Sequence, residues 1–263
     1  MDRLADVSIS GMGSSNGGVF SNVDISGMGT IHGDVEAERI SISGKGTIEG
    51  NVAVFRRVEI SGMGTIRGSV KGGQLVSSGS GNVEGIVDVE LIESAGNLKV
   101  GRDAKVKELS NAGRCRFDLS VRGDKIESYG LLSVGNDLEA ETFYSQGSFT
   151  VGGLLNANRV DIEIHGFCQA REIGGEEIRV RSNGWGIPLL NKLINPFLGS
   201  GRELDRLTAD VIEGTVVSLS YTTAKVVRGN KIVIGPECKI DEVEYTDSVE
   251  VDPRACVGKQ TKL

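Results

Sequence analysis

The chain has 263 residues, a formal net charge of −7 and a pI near 5.1, and no basic run or patch offers the clustered Lys and Arg that nucleic-acid binding requires. With 38 glycines, 4 prolines, 38% hydrophobic and 25% charged residues, the composition excludes a disordered low-complexity chain. It suits many short strands joined by tight corners instead.

Met1–Asp6 has no basic stretch leading into an apolar one, and nowhere do the roughly 18 apolar residues of a membrane span accumulate. The expected location is therefore the cytoplasm. From residue 9 the sequence repeats. Ile9-Ser10-Gly11-Met12-Gly13, Ile25-Ser26-Gly27-Met28-Gly29, Ile42-Ser43-Gly44-Lys45-Gly46 and Ile60-Ser61-Gly62-Met63-Gly64 are copies of one unit, with Ser77-Ser78-Gly79-Ser80-Gly81 as a weaker fifth. Three of them continue as Thr-Ile-x-Gly-x-Val, ending at Val35, Val52 and Val70.

Anchoring on the second glycine and following the tally through Gly81, Gly96, Gly113, Gly130, Gly147, Gly166 and Gly184 gives spacings of 15 to 19 residues, most often 17. Later copies keep the alternation of apolar residues, as in Phe117-x-Leu119-x-Val121, and the period returns at Pro236 and Pro253. Such a unit is too short for a helix pair, and its apolar period is two. Stacked in register, about fourteen such units form a parallel β-helix solenoid, all-β, with about 17 residues per coil. Ile9, Ile25, Ile42 and Ile60 then form an inward ladder beside a column of Ser10, Ser26, Ser43 and Ser61.

The predicted organisation is β-helix over 1–184, an apolar insertion over 185–207, and β-helix again over 208–263, as one domain. The insertion carries the only tryptophan. Leu189, Leu190, Leu193, Ile194 and Phe197 would share one face of a short amphipathic helix, with Trp185, Ile187 and Leu198 adding apolar surface. Pro188 suits its first turn and Pro196 limits its length. Three roles are open to it: a cover over exposed core, a partner-docking element, or a peripheral contact with the inner face of the membrane through 185–198.

The Ile/Val-Ser-Gly-x-Gly-x-Ile-x-Gly-x-Val repeats resemble the bactofilins, the bacterial polymer-forming cytoskeletal family. The nearest matches are Gly29–Val35, Gly46–Val52 and Gly64–Val70. The resemblance implies a right-handed β-helix that polymerises end to end without nucleotide and recruits cell-envelope, cell-shape or motility proteins. Family members often carry disordered Pro-rich tails or an N-terminal membrane-targeting peptide, and neither is expected here.

Sharper chemical readings give way to plainer ones. The recurrent Gly-x-Gly-x-x-x-Gly is one residue too long for the dinucleotide fingerprint and recurs five times, which suits corner glycines. His32 and His165 could act as general bases in a β-helix acyltransferase, but those enzymes are written in strict hexapeptide units. Acids on successive coils could make a polysaccharide-active site. The corresponding positions, His32, Glu49, Arg67 and Glu84, mix signs as a solvated face does. Cys115, Cys168, Cys238 and Cys256 lack metal-ligand spacing, and Cys115 and Cys238 read as buried packing residues. The expectation is a non-enzymatic protein with no catalytic residue, cofactor or metal. Its terminal coils, at Val7 and Ile9 and at Val251 and Val257, would be the polymerisation ends because no capping segment covers them. A non-polymerising dimeric scaffold is the alternative.

Overall fold

The computed structural model describes residues 4–182 and 205–263. It is all-β, with no helix among the described residues. Its strands pair in parallel as a β-solenoid of about 14 turns with about 17 residues per turn. Packing divides the chain into two compact units, Met1–Ala140 and Glu141–Leu263. The division falls within the repeat rather than at the insertion.

In the first unit, eight coils start at Val7, Val23, Ile40, Val58, Leu75, Ile92, Leu109 and Ile126, and each of these residues stacks on the next. We number them coils 1 to 8. Variation in coil length is absorbed at corners. The 18-residue coil 3 takes its extra residue between Val54 and Arg57, where Phe55 is pushed into solvent at 69% exposure.

The ladder Ile9, Ile25, Ile42, Ile60 is inward as expected, and the last three are fully buried. Each such side chain contributes about 1.5–3 kcal/mol. Above Ile60 the same column turns polar: Ser77, Ser94, Asn111 and Ser128 follow in register, all buried. The column four residues further along each coil changes in the opposite sense. Gly29, Gly46, Gly64 and Gly81 give way to Leu98, Cys115 and Leu132. The two changes compensate in volume, because a methyl group placed on Gly29 or Gly46 would lie 2.8 Å from Cγ2 of Ile25 or Ile42. Large beside small becomes small beside large, which preserves close packing.

The buried polar groups are partly satisfied. Asn111 Nδ2 donates to Ser128 Oγ at 2.9 Å and to the Leu131 carbonyl at 3.1 Å, while the Ser94 hydroxyl has no protein partner.

The Ser-Gly corner is a second column of glycines with a different cause. A methyl group on Gly27, Gly44, Gly62, Gly79, Gly96, Gly113 or Gly130 would lie 2.0–2.2 Å from the carbonyl oxygen of the glycine one coil below. The close approach comes from hydrogen bonding. Ser26 N and Gly27 N both donate to Ile9 O at 3.0 Å, Met28 N donates to Gly11 O at 2.8 Å, and the pattern recurs up the stack. The 15-residue spacing from Gly81 to Gly96 is therefore not a short coil. Gly81 stacks on Leu98 in the inward column, whereas Gly96 lies over Gly79 in the corner column. The expected single glycine register mixed the two columns.

A further corner is held by side chains. Asn51 N donates to Asp34 Oδ1 at 2.7 Å, Ser69 N to Asn51 Oδ1 at 3.0 Å, and Ile86 N to Ser69 Oγ at 3.1 Å. Short polar side chains thus catch amides that the backbone ladder leaves free.

The second unit continues the pattern. Ile178 stacks on Val217 and Ile232, while Cys168 stacks on Leu207 and Thr222. Strand structure resumes at Arg206, just inside the interval read as insertion. The strand ending at Arg181 and the strand beginning at Arg206 are in register with each other. The next coil joins the same two columns, from Leu219 to Thr222, with only Ser220 and Tyr221.

Candidate assembly surfaces

Coil 1 sets the lower surface of the first unit. Val7 lies under Val23 and is half-buried, and Ile9 lies under Ile25 at 9% exposure. Elsewhere in this coil the inward columns change character. Ser15 occupies the position filled above by Ile31 and Ile48, and Gly18 that of Val35. Gly18 is packed by the Phe20 ring, whose Cζ would be 3.3 Å from an added methyl group. Sequence reasoning missed this, because the inward positions are displaced by a register shift between Asn16 and Gly18.

The glycines of coil 1 stand apart from their counterparts. Within 4 Å of a methyl group on Gly11 there is no described atom, and on Gly13 the nearest is Ile9 Cγ2 at 3.7 Å. Coil 1 thus keeps the corner glycine without the contact that makes glycine necessary from Gly27 onward.

In the second unit Val251 lies over Ile234 at 37% exposure, and Val257 lies over Ile240 and is half-buried. Gln260 takes the inward position of Val243. Apolar and polar residues therefore share both coil surfaces. Trp185, Ile187, Leu189, Leu190, Leu193, Ile194, Phe197 and Leu198 lie outside the described residues.

From Gly27 onward each Gly-x-Gly pair is engaged with its own fold, the first glycine on a carbonyl below and the second on inward side chains. His32 is exposed, and its Nδ1 donates to Glu49 Oε2 at 2.8 Å. Arg67 Nη1 reaches Glu49 Oε1 at 3.4 Å from the other side. The hydrogen bond from His32, with the charge of Arg67 adding, holds the Glu49 carboxyl below the usual carboxylate range. His165 is exposed.

Burial pushes the thiols of Cys115 and Cys238 up and that of Cys168 up to about 12, while Cys256 is exposed. Lys239 pairs with Cys256, which sets Cys238 one coil below Ala255, as the spacing of Pro236 and Pro253 implies. Among the described residues no three His, Cys, Asp or Glu side chains converge as metal ligands, and no helix is long and apolar enough to cross a membrane.

No protein-family model and no solved structure matches the chain. It is similar to two uncharacterized proteins of Bacillus subtilis strain 168. It is 42% identical to YhbE over 114 residues, covering 43% of this chain and 44% of that protein. It is 37% identical to YhbF over 112 residues, covering 42% of each. The matched stretch spans less than half the length of either relative.

Proposed function

We propose that this chain is a structural, self-assembling protein of bactofilin type. Its solenoids join through their outermost coils, without nucleotide, into a cytoplasmic scaffold that recruits cell-envelope, cell-shape or motility proteins. The observation that carries this reading is Gly11. From Gly27 to Gly130 the corner residue is glycine because a carbonyl below it excludes any side chain. Gly11 has no such neighbour among the described residues. A coil of another copy stacked beneath would supply one, and would satisfy the corner amides that otherwise face solvent.

The non-polymerising dimeric scaffold draws support from Ser15 and Gln260, since polar residues in inward columns blunt a solenoid surface. One substitution separates the readings. Gly11→Val leaves the folded unit unchanged, as Gly11 has open space around it. In wild-type protein at micromolar concentration, electron microscopy without nucleotide should show filaments, and Gly11→Val should reduce them to short particles. Dispersed wild-type protein across a range of salt, or filaments indifferent to Gly11→Val, would defeat end joining.

A further inference from the structure

The strand that follows the Ser-Gly corner turns its outer face to solvent in the first unit, and two of its columns are unusual. The first holds Met12, Met28, Lys45 and Met63, stacked in register. These are all the methionines of the chain besides Met1, and they are 83%, 52% and 58% exposed. Methionine placed repeatedly in water is the mark of an adaptable contact surface rather than of a core. The other column, at the far edge of the same strand, is His32, Glu49, Arg67 and Glu84. It is aligned by the hydrogen bonds from Glu49 N to Ile31 O, Arg67 N to Ile48 O and Glu84 N to Ile66 O. With His32 protonated it alternates in sign from coil to coil. Between the two columns lie the small side chains of Thr30, Thr47 and Thr65, half-buried and flush with the sheet.

An alternating column of four charges is its own complement when reversed. We propose that this face is a lateral contact whose occupant is the same face of a second copy, related by a two-fold axis that lies in the contact plane, parallel to the strands and midway between coils 3 and 4. Under that symmetry each column meets itself in reverse order. Glu49 faces the second copy's Arg67 and Arg67 its Glu49, His32 and Glu84 meet at the two ends, and Thr47 lies opposite Thr65. Met63 packs against the aliphatic stem of Lys45. A parallel arrangement fails this test, because like charges or unlike columns then oppose one another.

Six coils at the strand spacing, by one short strand in width, cover about 400 Å² per copy, or about 800 Å² in all. That is below the area of a stable dimer, so the contact is weak in isolation and sensitive to salt. It gains strength when many copies are already held in line. The charged centre of the surface, in coils 2 to 5, is separate from the end of coil 1 and does not depend on end joining.

The test uses full-length protein carrying Gly11→Val, so that end joining is blocked. If wild-type protein proves dispersed, the same series is made without that change, which keeps the two proposals separable. Sedimentation equilibrium should show a dimer at about 20 mM salt that dissociates at about 500 mM. Glu49→Lys places three positive residues in succession along the column and Arg67→Glu three negative ones, so each variant alone should associate at least about tenfold more weakly. Mixed in equal amounts, the two should associate again. The lysine introduced at position 49 of one variant then meets the glutamate introduced at position 67 of the other, while the unaltered Arg67 of the first meets the unaltered Glu49 of the second. A purely intramolecular role for these charges would give no rescue on mixing. Absence of the low-salt dimer, single variants that associate like the parent, or a mixture that stays dispersed would each overturn the proposal.

Discussion

Leu98 stacks directly over Gly81, and a methyl group on that glycine would lie 3.1 Å from Leu98 Cδ1. Coil 5 is the point where the interior exchanges its large column for its small one. With Ser77 and Gly81 it is small at both positions, and side chains from the coils on either side, Ile60 and Leu98, reach into the space.

That exchange can be transplanted. Ile42→Ser should destabilise by about 2–5 kcal/mol through the cavity it leaves. Gly46→Leu should cost about 1–3 kcal/mol by overpacking against Ile42. Together they recreate, nearer the start of the stack, the pairing of Ser94 with Leu98, and the double variant should be more stable than the sum of the two losses predicts. Urea unfolding of the four proteins measures the coupling, and strict additivity would refute the compensation.

Two glycines should fail for different reasons. Gly44→Ala puts a methyl group 2.1 Å from the Gly27 carbonyl oxygen and should unfold coils 2 and 3 or shift Tm down by several degrees. Gly33 has open space but a φ of 97°. Gly33→Ala should cost about 1–2 kcal/mol from backbone strain alone, and Gly33→Asn less, since asparagine tolerates that region better. Equal losses for all three would contradict the distinction.

The insertion should be dispensable for folding. Replacing residues 181–206 by Ser-Gly copies the two-residue corner of the next coil, and glycine suits the second position because Tyr221 stands there at φ 52°. The expected result is an unchanged β-type circular dichroism spectrum and a Tm within a few degrees of wild type. Loss of cooperative unfolding would show that the stack depends on the segment.

Stability should depend on pH at both extremes. The carboxyls of Glu49, Glu90, Asp118 and Glu242 are held low by hydrogen bonds from His32, Lys107, Arg116 and Lys259 respectively. A depressed folded value means that their contribution is complete above the ordinary carboxylate range and is lost as pH falls through the folded values. Lys107, Lys125, Lys225 and Lys259 are raised by Glu90, Glu127, Asp210 and Glu242. Their contribution is complete below the ordinary lysine range and is lost as pH rises through the folded values. The expected profile is a plateau from roughly pH 5 to 10, falling on both sides and shallower in high salt, where exposed pairs are screened. Thermal melts across that range at two salt concentrations would check it.

The sequence discloses the coil because the same residues recur at the same places: Ile25, Ile42 and Ile60 announce an inward column before any coordinate is known. It conceals the change at Ser77, since serine beside glycine looks like a weaker copy of the unit rather than the start of a different interior. Ser15 and Gln260 are hidden for another reason. Each is a polar residue in an inward column, disclosed only by its partner, Ile31 or Val243, while the shift between Asn16 and Gly18 hides Gly18 by displacing the inward positions that follow it. The charge column at His32, Glu49, Arg67 and Glu84 is readable as mixed signs, yet its strict alternation acquires meaning only when the coils are stacked.

The strand that ends at Arg181 and the strand that begins at Arg206 share one register although the chain between them adds a long segment to the repeat. The strands before and after the intervening residues keep their partners, so the register of the stack is the same on both sides. Any number of such additions could be hung on successive corners, and their separation along the body would come only in whole steps of about 4.8 Å. A molecule of this kind is a graduated ruler: it sets the distance between whatever is attached to it by counting turns.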